Sequence, residues 1–87
     1  MKIKSGFLMR EVAGKHIVVA VGARVKDFNG VINLSPESAL CWGMLEKGAE
    51  KEDIIKALTT EYDVEEKRAS VDLDEFIKKL TEAGLVE

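Results

Sequence analysis

His16 and Cys41 are the only histidine and the only cysteine of the chain, so a metal site or a nucleophile would have to start from one of them. A metal centre gathers three or four nitrogen, sulfur or oxygen ligands. His16 stands beside a turn with no Cys, Asp or second His near it in sequence, which reads as a surface strand histidine. A nucleophilic cysteine needs a base and an electropositive setting. Cys41 has neither in sequence and, lying next to Trp42, reads as a small core residue. Carboxylates are plentiful in two runs, Glu46, Glu50, Glu52, Asp53 and Glu61, Asp63, Glu65, Glu66. They read as charge placement at helix N-termini and as solvated faces, and paired carboxylates alone do not make an acid/base couple. No glycine-rich phosphate loop is present. These residues describe a protein that holds something rather than one that transforms it, and no catalytic residue or cofactor is expected.

Composition narrows the classes. Eighty-seven residues with 46% hydrophobic and 33% charged content describe one globular domain, expected to span residues 1–87. The longest apolar run, Ile17 to Val21, is strand-sized and far short of the roughly 20 residues that cross a bilayer, so no membrane partner is expected. Lys2 and Lys4 are followed by no apolar signal core, and a lone cysteine forms no internal disulfide, which together point to the cytoplasm. The net charge of -3 speaks against a sequence-independent grip on phosphate backbones.

The elements that must position a binding site follow from local pattern. Phe7 to Val12 and His16 to Val21 are β-rich, and Ala13-Gly14-Lys15 between them reads as a tight turn, giving a hairpin. Gly22 to Asp27 has no clear period and reads as a connection. Asn29-Gly30 is a turn signal, and Val31-Ile32-Asn33-Leu34 behind it predicts a short third strand. Ser35 as N-cap and Pro36 at the first helical position open a helix, with Leu40, Met44 and Leu45 as its apolar stripe, that closes at Lys47-Gly48. A second helix carries Ile54, Ile55 and Leu58 and stops near Glu61-Tyr62. The third is expected to start at Asp63, with Glu66 completing a capping box. Its stripe is Ala69, Leu73, Phe76, Ile77 and Leu80, and Gly84 ends it with Leu85 folding back.

Val64 and Val71 fall outside that stripe, seven residues apart and flanked by Arg68, Asp72, Glu75 and Lys78. Stacked valines on a charged face are a candidate contact surface, although isolated exposed valines are common on proteins.

Read in order, Leu34-Ser35-Pro36-Glu37-Ser38-Ala39, Trp42, Leu45, Lys47-Gly48, the Ile54/Ile55/Leu58 helix, Glu61-Tyr62-Asp63-Val64, Asp72-Leu73, Phe76, Leu80 and Ala83-Gly84-Leu85 resemble the PqqD-like family. This is the stand-alone recognition element used in making ribosomally synthesised, post-translationally modified peptides. The resemblance covers nearly the whole chain and is strongest from Phe28 onward. It implies an α+β fold of winged-helix-turn-helix type, an N-terminal three-stranded antiparallel sheet followed by three α-helices. It also implies a non-catalytic peptide chaperone. The leader segment of a precursor peptide adds as a strand beside the third strand, in the groove against the third helix. A modifying enzyme, in the namesake pathway a radical S-adenosylmethionine enzyme, then receives the tethered core. The product need not be the quinone cofactor.

Strand addition needs an exposed edge and alternating side-chain pockets. Gly30, Val31, Ile32, Asn33 and Leu34 contain no proline and can offer that edge. Val64, Arg68, Val71, Asp72 and Glu75 are the non-core positions available for the helical wall, which makes Val71→Asp the substitution expected to weaken binding. Asp72 matches a position the family usually fills with Asp, as a structural cap or as a leader contact. About four backbone hydrogen bonds, at roughly 0.5–1.5 kcal/mol net each, fall short of the ~8 kcal/mol of micromolar binding. Apolar leader side chains must supply the difference.

The protein is expected to be a monomer or homodimer, and the competing readings are a nucleic-acid-binding winged helix and a ligand-free scaffold or oligomerisation module. The first needs basic and amide side chains on a recognition helix. The second helix instead begins Lys51-Glu52-Asp53, placing carboxylates where base contacts would be made.

Overall fold

The computed structural model describes residues 2–26 and 30–86, with the backbone alone for residues 23 and 24. Strand β1 (Phe7–Val12) and strand β2 (Lys15–Ala20) form an antiparallel hairpin closed by the pair Val12 and Lys15. The turn is two residues long, so Lys15 belongs to the strand. Ala13 at φ 53 and Gly14 at φ 79 supply the two positive φ values that a type I′ turn demands. A single turn of 3-10 helix, Gly22–Lys26, occupies most of the stretch expected to be an irregular connection. Asp27, Phe28 and Asn29 of the expected connection and turn lie outside the described residues.

Strand β3 (Val31–Leu34) pairs antiparallel with β2, from His16 opposite Leu34 to Val19 opposite Val31. The sheet order is β1-β2-β3, so β2 is central and β3 is an edge. Period-2 alternation sorts the side chains. Phe7, Val18, Ile32 and Leu34 turn toward the helices, while Leu8, Val12 and Val31 are exposed on the opposite face.

Helix α1 (Pro36–Glu46) begins where the sequence predicts, with the Ser38 amide donating to Ser35 Oγ at 3.1 Å. Its buried residues are Ala39, Cys41, Trp42 and Leu45, whereas Leu40 and Met44 of the expected stripe are half-buried. The helix is apolar nearly all round, so its sequence does not name the buried face. Helix α2 (Lys51–Glu61) buries Ile54 and Leu58. Helix α3 (Glu66–Glu82) buries Ala69, Leu73 and Leu80, with Phe76 and Ile77 packed at the border of the core.

Both α1 and α3 end in Schellman motifs. The Ala49 amide bonds to the Met44 carbonyl at 3.0 Å, and the Leu85 amide to the Leu80 carbonyl at 2.9 Å. The glycines between them, Gly48 and Gly84, both sit at φ 80, where a side chain would be strained. The second motif turns Leu85 and Val86 into the core, where Val86 bridges Ile3 and the Lys4 amide bonds to the Leu85 carbonyl at 2.9 Å. The result is a sheet covered on one face by helices, with Val18, Trp42, Ile54, Leu73, Leu80 and Leu85 sealed between the layers. No helix among the described residues is long and apolar enough to cross a membrane.

Candidate peptide-binding groove

The outer edge of β3 carries no strand among the described residues. In an antiparallel ladder alternate residues direct their N–H and C=O groups to each side. Two of the four residues of β3 therefore serve β2, and the other two present two N–H and two C=O groups outward. Beside this edge runs a groove of about 370 Å³ whose walls are Val31–Leu34 and, from the helices, Ser38, Phe76, Lys79, Leu80 and Ala83. Its lining is mainly apolar, from Ile32, Leu34, Phe76 and Leu80, with one ionisable group among the described residues, Lys79.

The helical wall has a simple construction. Arg68, Asp72, Phe76, Lys79 and Ala83 follow one another at intervals of four, four, three and four, which places them in one row along α3 and its C-cap. The row flanks the buried stripe of Ala69, Leu73 and Leu80, so its members stand at the border between core and solvent. The C-terminal part of the row faces β3. The N-terminal part continues past it: Ser38 and Phe76 also border a cavity of about 50 Å³ lined by Glu37, Cys41, Leu58, Val64, Asp72 and Leu73. Asp72 in turn adjoins an open concavity with Glu65, Arg68, Val71 and Glu75.

The residues singled out from sequence are thus only partly brought together. Val31, Ile32, Asn33 and Leu34 line the groove, and Gly30 leads into it at φ 150. Val64 and Asp72 line the adjoining cavity. Arg68 stands further along the row, beyond the β3 edge, and Val71 and Glu75 lie beside it on the open concavity. Val64 and Val71 are not a stacked pair, because α3 starts at Glu66. The chain before it stays extended, and Val64 is half-buried against the core while Val71 is 47% exposed. Asp63 does not cap α3; that position belongs to Glu65, whose side chain makes no capping hydrogen bond. Asp72 sits inside α3, and its carboxylate oxygens accept from Arg68 Nε at 3.2 Å rather than from a helix end. Phe76, Lys79 and Ala83 were not singled out as wall residues. Their spacing beside the core stripe was the signal that could have found them.

The remaining chemistry-bearing residues stand apart from the groove or are quenched. His16 is half-buried at the end of the sheet beside Lys15, Asn33 and Pro36. No cluster of three metal-ligating side chains exists among the described residues. Cys41 is 4% exposed, and burial, seconded by the carboxylates of Glu37 and Asp72, pushes its thiol up to about 11. A thiol held so firmly protonated is a poor nucleophile.

Comparison with known proteins adds three findings. The sequence model of the family described as coenzyme PQQ synthesis protein D (PqqD) matches residues 15–86. No curated protein sequence matches the chain. Among solved structures, TbiB1 in complex with the TbiA(beta) leader peptide superimposes with a TM-score of 0.81 at 23% identity, covering 100% of this chain and 95% of that one. A lasso peptide synthetase B1 complexed with the leader peptide gives a TM-score of 0.80 at 20% identity, covering 99% and 95% of the two chains. At such identities the likeness is one of fold.

Proposed function

This chain belongs to the family of coenzyme PQQ synthesis protein D, and from that membership we propose that it is a non-catalytic peptide chaperone. It binds the leader segment of a ribosomally made precursor peptide as a fourth strand on β3 and holds the attached core for a peptide-modifying enzyme. The observation that carries this reading is the coincidence of an open strand edge with an apolar groove at its side. An edge alone gives affinity without selection, and a groove alone gives neither register nor direction; together they read an extended peptide.

Energetics favour the same division of labour. The four outward backbone groups of β3 contribute about 2–6 kcal/mol at roughly 0.5–1.5 kcal/mol each. Ordering a disordered leader costs a few kcal/mol in return. One leader side chain buried between Ile32, Phe76 and Leu80 adds about 1.5–3 kcal/mol. With the ordering cost taken off, about three such residues bring the sum near the ~8 kcal/mol of a micromolar complex.

The similar folds of TbiB1 and of lasso peptide synthetase B1 support the reading, since both are held with leader peptides. The modifying enzyme is of the radical S-adenosylmethionine class or another peptide-modifying class. Nucleic acid is not the ligand: Glu52 and Asp53 occupy the first turn of α2, where phosphate would meet negative charge.

The test is an NMR titration of the labelled protein with synthetic leader peptides from precursor-like reading frames beside the gene. Shifts concentrated on Val31–Leu34 and on the 76–83 segment are expected. A folded protein that shifts with none of them overturns the proposal.

A further inference from the structure

Among the described residues, Lys79 is the only ionisable side chain that lines the β3–α3 groove. Three other cations of α2 and α3 are paired: Lys78 with Glu82, Arg68 with Asp72, and Lys51 across the helix pair with Asp74. No ion pair of Lys79 is formed among the described residues, although Glu75 stands one turn before it on α3 in the favourable order for pairing. A strand laid along β3 passes this ammonium and strips water from it.

From this we infer that Lys79 is a specificity determinant that selects peptides bearing a carboxylate, Asp or Glu, at the position facing it, next to the apolar residues seated against Ile32 and Phe76. The inference deepens the leader-binding reading and rests on it. Physically, the aliphatic stem of Lys79 extends the apolar wall while its head stays at the rim. A peptide carboxylate there replaces lost hydration with a charge-assisted hydrogen bond, and a peptide lysine there is repelled. The preference runs against the field of the whole molecule, since a net charge of -3 favours basic peptides. Local and global electrostatics therefore predict opposite outcomes.

The test is selection of displayed nine-residue random peptides on three proteins, wild type, Lys79→Glu and Lys79→Gln, each checked for folding by circular dichroism. Wild type is expected to enrich peptides with apolar residues at alternate positions and Asp or Glu at one fixed position. In binding assays Glu at that position should be favoured over Lys by about fivefold, less so at 0.5 M salt. Lys79→Glu should reverse the preference and Lys79→Gln should abolish it. Peptides enriched with the apolar alternation but with no charge preference, or with the same preference on all three proteins, overturn the inference and leave leader binding standing. Failure to enrich any peptide on folded wild type overturns both.

Discussion

Arg68 Nε lies 3.2 Å from both carboxylate oxygens of Asp72, one turn further along α3. The pair joins the exposed concavity of the helix to the cavity beside the groove, so Asp72 meets any ligand already carrying a partner. Both side chains are more than half exposed, at 73% and 52%, which limits what the contact adds to folding. A double-mutant cycle with Arg68→Ala and Asp72→Ala should give a coupling of about 0.3–0.5 kcal/mol that fades in high salt. A coupling above about 2 kcal/mol would mark the pair as structural, a value reached only by desolvated pairs.

The groove assignment separates two positions on the same helix. Ala83 is exposed and lines the groove, so Ala83→Trp should fill it with no core cost and lower leader affinity by about tenfold or more, the effect of losing ~1.4 kcal/mol. Val71 faces the other concavity, and Val71→Asp should change affinity by less than about threefold. Isothermal titration of both variants decides the matter; the reverse order of effects would move the peptide to the Arg68–Glu75 side of α3.

Ala13 holds a positive φ that favours Gly or Asn over an alanine. Ala13→Asn creates the Asn-Gly pair preferred in type I′ turns and should raise stability by about 0.5–1 kcal/mol in urea denaturation. A neutral or negative result would show that the hairpin tip is not held in that conformation in solution.

Cys41 predicts a loss of stability in alkali. Its thiol titrates near 9.0 when the chain is unfolded and about 11 when folded, because burial penalises the thiolate. The unfolded state thus releases its proton first, and stability falls as pH rises from about 9 to about 11. The loss approaches roughly 2–3 kcal/mol at most. Subtracting the same denaturation series for Cys41→Ala isolates the contribution of the thiol. A difference that does not change with pH would mean that Cys41 meets water.

Legibility from sequence varied with the origin of each signal. The borders of β3 and the start of α1 were readable because Ser35, Pro36 and the β-branched run before them act through their own backbone. The glycine ends of α1 and α3 were readable for the same reason. The start of α3 was not. Asp63 and Glu66 have the spacing of a capping box, yet Tyr62 and Val64 pack against the core and hold the chain extended to Glu65. Burial outweighed a cap worth about 1 kcal/mol. On α1, apolar residues on almost every side left the rotation to be set by Trp42 entering the core. The strand side of the groove was visible as an unpaired β-rich run. Its helical side depended on how α3 is turned against the sheet, and the wall combines exposed Lys79 and Ala83 with half-buried Phe76, which sequence alone assigns to the core.

Trp42, the single tryptophan, is 0% exposed and borders neither the groove nor the cavity beside it, and its indole N–H finds no partner among the described residues. Its intrinsic emission should therefore be blue-shifted, shielded from soluble quenchers and sensitive to loss of packing, yet silent when a peptide settles on β3. The same chromophore thus reports integrity alone, which lets one sample distinguish a variant that has lost its ligand from one that has lost its fold.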